Sequence, residues 1–267
     1  MLTIDNVYRA RNALKGVARK TDVIYAPKLC KGAEVYLKTE NLQITGSFKV
    51  RGAYYKMSKL SKEEKARGVV ACSAGNHAQG VALAAKENGI KAVICLPDGA
   101  PISKVEATKS YGAEVCLVKG VYDDAYQKAL ELRDEQGYTF LHPFDDEDVI
   151  AGQGTIALEI LEQLHDVDAI IVPIGGGGLI SGIAYTVKTL APSVKVYGVQ
   201  ASGAPSMANS IADHKIEELS SVSTIADGIA VKRPGTLTYE LVEKYVDEVV
   251  TVTDDEISAA IFALMEQ

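Results

Sequence analysis

No apolar stretch in this chain approaches the roughly 20 residues that cross a bilayer as a helix, and no run of basic residues gathers anywhere along it. With 28 basic against 35 acidic residues the net charge is −7, the wrong bias for neutralising phosphates along a nucleic acid. The first eleven residues, Met1 to Arg11, are mixed and charged, unlike a secretory leader. Cysteine is sparse. Cys30, Cys72, Cys95 and Cys116 contain no C-x-x-C pair, and three of them lie in apolar, strand-like runs. They read as buried, reduced thiols acting as small hydrophobes, with neither a disulfide nor a metal implied. Internal repeats, low-complexity tracts and Gly/Ser linkers are missing as well. A cytoplasmic globular protein without membrane or nucleic-acid partners is the expectation. Its 267 residues, 47% apolar and 24% charged, suffice for one large or two small cores.

Short apolar runs alternate with amphipathic stretches. Val69–Cys72, Lys91–Leu96 and Glu114–Val118 read as strands. The helices between and after them are expected over Asn76–Asn88, Ile102–Tyr111 and Tyr122–Gln136, stopped by Gly89, Gly112 and Gly137. The alternation then repeats: a helical stripe of Ile156, Ile160, Leu161 and Leu164, a strand over Ala169–Ile174, a helix over Leu179–Leu190, and a strand over Lys195–Gln200. Strands alternating with helices predict a doubly wound α/β architecture, with parallel-rich sheets covered on both faces.

Such sheets bind ligands at the carboxyl ends of their strands, and three segments there carry chemistry. In Ile171-Val-Pro-Ile-Gly175-Gly176-Gly177-Gly178-Leu179 a buried strand runs through four glycines into a helix. Converging N–H groups and a helix N-terminus make a phosphate cradle. The run is neither a Walker loop nor G-x-G-x-x-G, and a plain flexible turn is the competing reading, disfavoured by the entropic cost of four consecutive glycines. In Thr45-Gly-Ser-Phe48-Lys49-Val-Arg51-Gly-Ala, apolar neighbours around Lys49 would depress its basicity toward a nucleophilic amine, as a Schiff-base lysine requires. Most lysines, however, are solvated surface residues. Arg51 reads as a structural ion-pair or carbonyl-binding residue. In Ser73-Ala74-Gly75-Asn76-His77-Ala-Gln-Gly80 small residues open a helix whose N-terminus suits a substrate carboxylate, with Ser73 and the local amides as donors. Asn76 could serve only as an N-cap. His77 is as well suited to a structural role as to catalysis.

These three motifs, in this order, resemble those of the fold type II (tryptophan-synthase-like) pyridoxal-phosphate enzymes, within them the threonine dehydratase and serine racemase branch. The resemblance runs over nearly the whole chain. It implies that Lys49 carries the cofactor as a Schiff base, Phe48 encloses its ring and Asn76 bonds its hydroxyl. Gly175, Gly176, Gly177, Gly178 and Leu179 would hold the phosphate, and Ser73, Ala74, Gly75, Asn76 and His77 would line the substrate carboxylate site. A large domain (1–49 and 146–267) would carry a smaller mobile one (50–145), with the cofactor in the cleft between them. The activity implied is α,β-elimination from L-threonine, and from L-serine, to a 2-oxo acid and ammonia, in threonine catabolism or isoleucine biosynthesis, by a homo-oligomer.

Serine racemases of this branch place a serine where this chain has Ala74, and a metal-ligating glutamate where it has Gln200. Both differences favour elimination, and no metal site is expected. Cysteine synthases carry a Ser/Thr-Gly-Asn-Thr loop in place of Gly-Asn-His. An inert fragment that binds only the cofactor phosphate is the non-enzymatic alternative. Thr253-Asp-Asp-Glu256 is a capping box opening a helix still running at Gln267. A truncated C-terminus is therefore expected, with the partner of the pyridine nitrogen beyond it.

Overall fold

The computed structural model describes residues 1–266. Among them the chain order is α1 (Ile4–Ala13), β1 (Val23–Tyr25), β2 (Tyr36–Lys38), α2 (Lys49–Ser58), α3 (Lys62–Arg67), β3 (Val69–Cys72), α4 (Asn76–Asn88), β4 (Ala92–Pro97), α5 (Ile102–Ser110), β5 (Glu114–Val118), α6 (Tyr122–Gln136), β6 (Thr139–Phe140) and α7 (Glu147–Gln163). There follow β7 (Ala169–Pro173), α8 (Gly178–Leu190), β8 (Lys195–Ala201), α9 (Ser206–Ala212), α10 (Thr236–Tyr245), β9 (Glu248–Val252) and α11 (Asp254–Met265). Gly89 and Gly137 end α4 and α6 in the left-handed region, at φ 65° and 70°, where a glycine meets no β-carbon penalty.

A four-stranded parallel sheet has the order β5-β4-β3-β6 and a three-stranded parallel sheet the order β7-β8-β9. The first is covered on both faces, as expected. Ala71, Ile94 and Leu96 point into one core with Ala78, Val81 and Ala82 of α4. Val70, Cys72, Val93 and Cys95 point the other way, onto Ala125 and Ala129 of α6. The period-two alternation of buried side chains in β3 and β4 is therefore invisible as polarity, because both faces are dry.

The second sheet departs from that pattern. Ile170, Val172 and Val196 pack against Ile180, Ile183 and Val187 of α8. On its other face Ile171 is 70% exposed, so among the described residues only one side is fully covered. A further departure is an antiparallel pair, β1 with β2, which no local motif announces.

Helices α2 and α7 cross closely through small residues. A β-carbon on Gly152 would come within 2.6 Å of the Gly52 Cα. Beside that crossing, Arg51 is almost wholly buried. It bonds both carboxylate oxygens of Glu40 and of Glu159, with N–O distances of 2.6 to 2.9 Å, and the carbonyl of Arg19. Lys38 joins the same Glu159 at 2.7 Å. Arg51 is thus the structural ion-pair residue expected of it.

Of the thiols, Cys72, Cys95 and Cys116 stand in register across β3, β4 and β5. The first two are buried, Cys116 is partly buried, and Cys30 is exposed. The expectation of four buried thiols fails at Cys30, because that residue lies in an irregular segment and not in a strand. Burial pushes Cys95 up to about 12, so this thiol stays protonated and inert at neutral pH.

Candidate active site

Lys49 is the first residue of α2. Gly80 lets α4 come in beside it, since a β-carbon at Gly80 would lie 2.9 Å from the Lys49 carbonyl carbon. Among the described residues the Lys49 amine has one hydrogen-bond partner, the Pro143 carbonyl at 3.2 Å, and it lies 5.2 Å from the centre of the Phe48 ring. No carboxylate pairs with it among the described residues. Burial alone lowers its pKa to about 8, the direction in which desolvation drives any ammonium. The residue as a whole keeps a narrow contact with solvent.

The glycine run joins β7 to α8, and its conformation demands glycine at two positions. Gly177 sits at φ 99°, and a β-carbon there would meet Thr238 and Met207 at 2.8 Å. One at Gly176 would overlap the Phe144 ring at 2.3 Å. The Gly176 carbonyl is turned aside to accept from Thr238 Oγ1 at 2.6 Å. Among the described residues the amides of Gly175, Gly176 and Gly177 have no protein acceptor, and α8 has no side-chain N-cap. Unspent amides at a helix N-terminus are an anion site. Phe48 and Leu179 pack against the same core cluster beneath the run.

The 73–77 segment opens α4, the helix that Gly80 brings beside Lys49. Ser73 Oγ accepts from the Gly75 amide at 3.1 Å. The N-cap position is filled by Gly75 without a side-chain bond, so Asn76 is not the cap; its side chain is exposed and makes no hydrogen bond among the described residues. His77 is buried and its Nε2 lies 3.0 Å from the Leu141 carbonyl. A carbonyl only accepts, so Nε2 carries the proton. Burial, with Lys49 nearby, lowers this ring to about 3. His77 is a neutral, committed donor, which leaves its backbone amide as the group available to a ligand.

What sequence reasoning missed is the segment Leu141-His142-Pro143-Phe144-Asp145-Asp146, which joins β6 to α7. It touches every part of the site: Leu141 takes His77, Pro143 takes Lys49, and Phe144 fills the space beside Gly176 and Gly178. Asp145 accepts from the amides of Thr236, Leu237 and Thr238 at the start of α10. Lacking helical or strand periodicity, the segment gives no local signal. Its only hint was an unusual density of His, Pro and Asp.

These features match a known family over residues 14–267, that of the pyridoxal-phosphate dependent enzymes. The chain belongs to this family. It is similar to an L-threonine ammonia-lyase of Thermotoga maritima, 53% identical over the whole of this chain and 67% of that one. It is also similar to the catabolic L-threonine dehydratase of Escherichia coli K12, 48% identical over the whole of this chain and 82% of that one. Among solved structures, threonine deaminase isoform 2 of Solanum lycopersicum superposes with a TM-score of 0.94 at 41% identity, covering 98% of this chain and 74% of that one. Maize serine racemase superposes equally well at 38% identity, covering 98% and 80%.

The residues present fit pyridoxal phosphate. The cofactor presents an aldehyde and a phosphate dianion. Lys49 supplies a buried amine with no acid to neutralise it, and the glycine run supplies amides with no acceptor of their own. Gln200, at the position that separated the racemases, is fully buried. It donates to the Ile174 carbonyl at 3.3 Å and accepts from the Ala208 amide at 2.8 Å, which binds the end of β7 to α9. No cluster of three metal-ligating side chains occurs among the described residues, nor does a helix long and apolar enough to cross a membrane.

Proposed function

We propose that the chain, with pyridoxal phosphate on Lys49, removes water and ammonia from L-threonine, and from L-serine, releasing a 2-oxo acid. The observation that carries this reading is an amine that has no carboxylate partner among the described residues and is depressed to about 8, and whose acceptor there, Pro143, adjoins the residue packed on the glycine cradle. The names of the Thermotoga maritima and Escherichia coli relatives support the same substrate.

When bound, the cofactor supplies an electron sink for charge developing at the substrate α-carbon. The remaining work falls to the chain. Gly175, Gly176, Gly177, Gly178 and Leu179 would hold the phosphate through backbone amides. Phe48 would flank the ring, and the Asn76 side chain, which makes no hydrogen bond among the described residues, would bond its hydroxyl. Ser73, Ala74, Gly75, Asn76 and the His77 amide receive the substrate carboxylate at the N-terminus of α4. At neutral pH a usable fraction of the Lys49 amine is unprotonated and can take the α-proton. Ala74, where racemases of this branch carry a serine, offers only a methyl group. A proton cannot be returned from there, which favours elimination over racemisation. Residues 50–145 act in this reading as a smaller unit that closes over substrate held by 1–49 and 146–267. Free thiols throughout suit a reducing cytoplasm. Assembly as a homo-oligomer, and a role in threonine catabolism or isoleucine biosynthesis, belong to the same proposal.

Lys49→Ala tests it. Formation of 2-oxobutyrate from L-threonine should fall at least a hundredfold, the usual scale for loss of a positioned base. The visible absorbance that pyridoxal phosphate gains on the protein should disappear with it. A variant that kept a borohydride-sensitive visible band would place the cofactor on another lysine and overturn the proposal.

A further inference from the structure

The imidazole of His142 folds back on its own segment. Its Nδ1 accepts from the Asp145 amide at 2.8 Å and from the Phe144 amide at 3.3 Å. A ring nitrogen that accepts two amide protons carries none itself, so the proton sits on Nε2. Burial holds the ring neutral, with Lys49 of α2 acting in the same direction and Asp145 and Asp146 opposing it.

The turn closed in this way sends three groups in three directions. The Pro143 carbonyl meets the Lys49 amine. The Phe144 ring, edge-on to the imidazole at 4.7 Å between centres, stands where a β-carbon on Gly176 would go. The Asp145 carboxylate holds the first turn of α10 through three amides at 2.9 to 3.1 Å. From that turn Thr238 reaches back to the Gly176 carbonyl. Both the amine and the phosphate cradle are thus braced by the Leu141–Asp146 backbone, and among the described residues the only side chain bonded to the inner amides of that backbone is His142.

We infer that His142 is a positioning residue for the Lys49 amine and the glycine cradle, acting through the turn that its Nδ1 closes. This rests on the reading of Lys49 as the cofactor-bearing amine. The role is narrow: it asks for a hydrogen-bond acceptor at this place, not for an imidazole that exchanges protons. An asparagine oxygen can accept from amides two and three residues ahead, the pattern of an Asx turn. A leucine fills similar space and accepts nothing.

The experiment titrates pyridoxal phosphate into cofactor-stripped His142→Asn, His142→Leu and parent protein. It follows the visible absorbance and the induced circular dichroism of the bound cofactor, and thermal unfolding of each protein is recorded separately. His142→Leu should bind at least tenfold more weakly with a diminished dichroic band, while His142→Asn stays within about threefold of the parent with the band retained, threefold being under 1 kcal/mol. Parent-like affinity and dichroism in His142→Leu would overturn the inference, as would equal losses in both variants, which would mark a packing role only. Should the leucine protein not fold, His142→Ala takes its place against His142→Asn. Lys49→Ala, run in parallel, separates the two readings: a borohydride-sensitive band surviving there defeats the Lys49 assignment, whereas its loss beside an unaffected His142→Leu defeats the positioning role alone.

Discussion

Lys49 titrates near 8 in the folded chain against an ordinary 10.5, and that difference is a statement about stability. Below about 8 the amine is protonated whether the chain is folded or not, and the fold carries the whole cost of a dry ammonium. Between 8 and 10.5 the unfolded chain keeps a proton that the folded chain has lost, so stability rises with pH across that window and the cost is gone above it. In cofactor-free protein, Lys49→Met should therefore be the more stable at pH 7.5, by at most about 3 kcal/mol; residual contact of Lys49 with solvent reduces that figure. The advantage should shrink toward zero near pH 10.5. Chemical denaturation across the window measures it, and a constant difference would mean that the amine is not desolvated. The apolar flanks of Lys49 could be read from neighbouring residues, because they sit one position away. Arg51 read only as a structural ion-pair or carbonyl-binding residue, and its partners Glu40 and Glu159, 11 and 108 positions away, gave no local sign. Exposure of Cys30 could not be read either, since it depends on where an irregular stretch is laid over the surface.

At the scale of elements, the glycine-stopped helices and the apolar strands were legible nearly to the residue, because Gly89 and Gly137 take a backbone conformation that other residues resist. Insertion of the two-residue β6 beside β3 was not, and neither was the β1–β2 pair. Such short strands gain their partners from distant chain and show no period of their own. The turn into α8 was legible as a phosphate cradle but not in the way each glycine is constrained. Gly177→Val is strained by φ alone, and Gly176→Val must displace the Phe144 ring. Each should weaken pyridoxal phosphate binding at least tenfold, the equivalent of about 1.4 kcal/mol. Gly182 looks like a free control from its place one turn into α8. It is not free, for a β-carbon there would meet the Ile150 carbonyl at 2.4 Å. Gly99, exposed and with nothing within 4 Å, is the sound control, and Gly99→Ala should bind as the parent does. Parent-like affinity in both valine variants would reduce the run to a turn.

For the molecule as a whole, the sheets and their helices followed from patterning, whereas the Leu141–Asp146 segment, bonded to residues 64 to 94 positions away, could be seen only once the chain was folded. Acid should reveal it. His77, held near 3 against an ordinary 6.5, stays neutral in the fold while the unfolded chain takes up a proton below 6.5. The stability at stake is intact above 6.5 and is lost as pH falls toward 3, amounting to about 2 kcal/mol by pH 5. His77→Gln, which keeps a donor for Leu141, should lose less stability than the parent between pH 6.5 and 5 in denaturant titrations. Identical slopes would show that the ring is not held neutral. The charged group beneath α2 and α7 has a different reach. Arg51 and Lys38 balance Glu40 and Glu159 in near-complete burial, and deleting one member of such a set strands an uncompensated charge at about 3 to 5 kcal/mol. Single steps away from any of the four are therefore steep descents in fitness. In descendants of this sequence the four positions are expected to stay fixed together or to change in concert, leaving a signature of linked inheritance at sites that never touch a substrate.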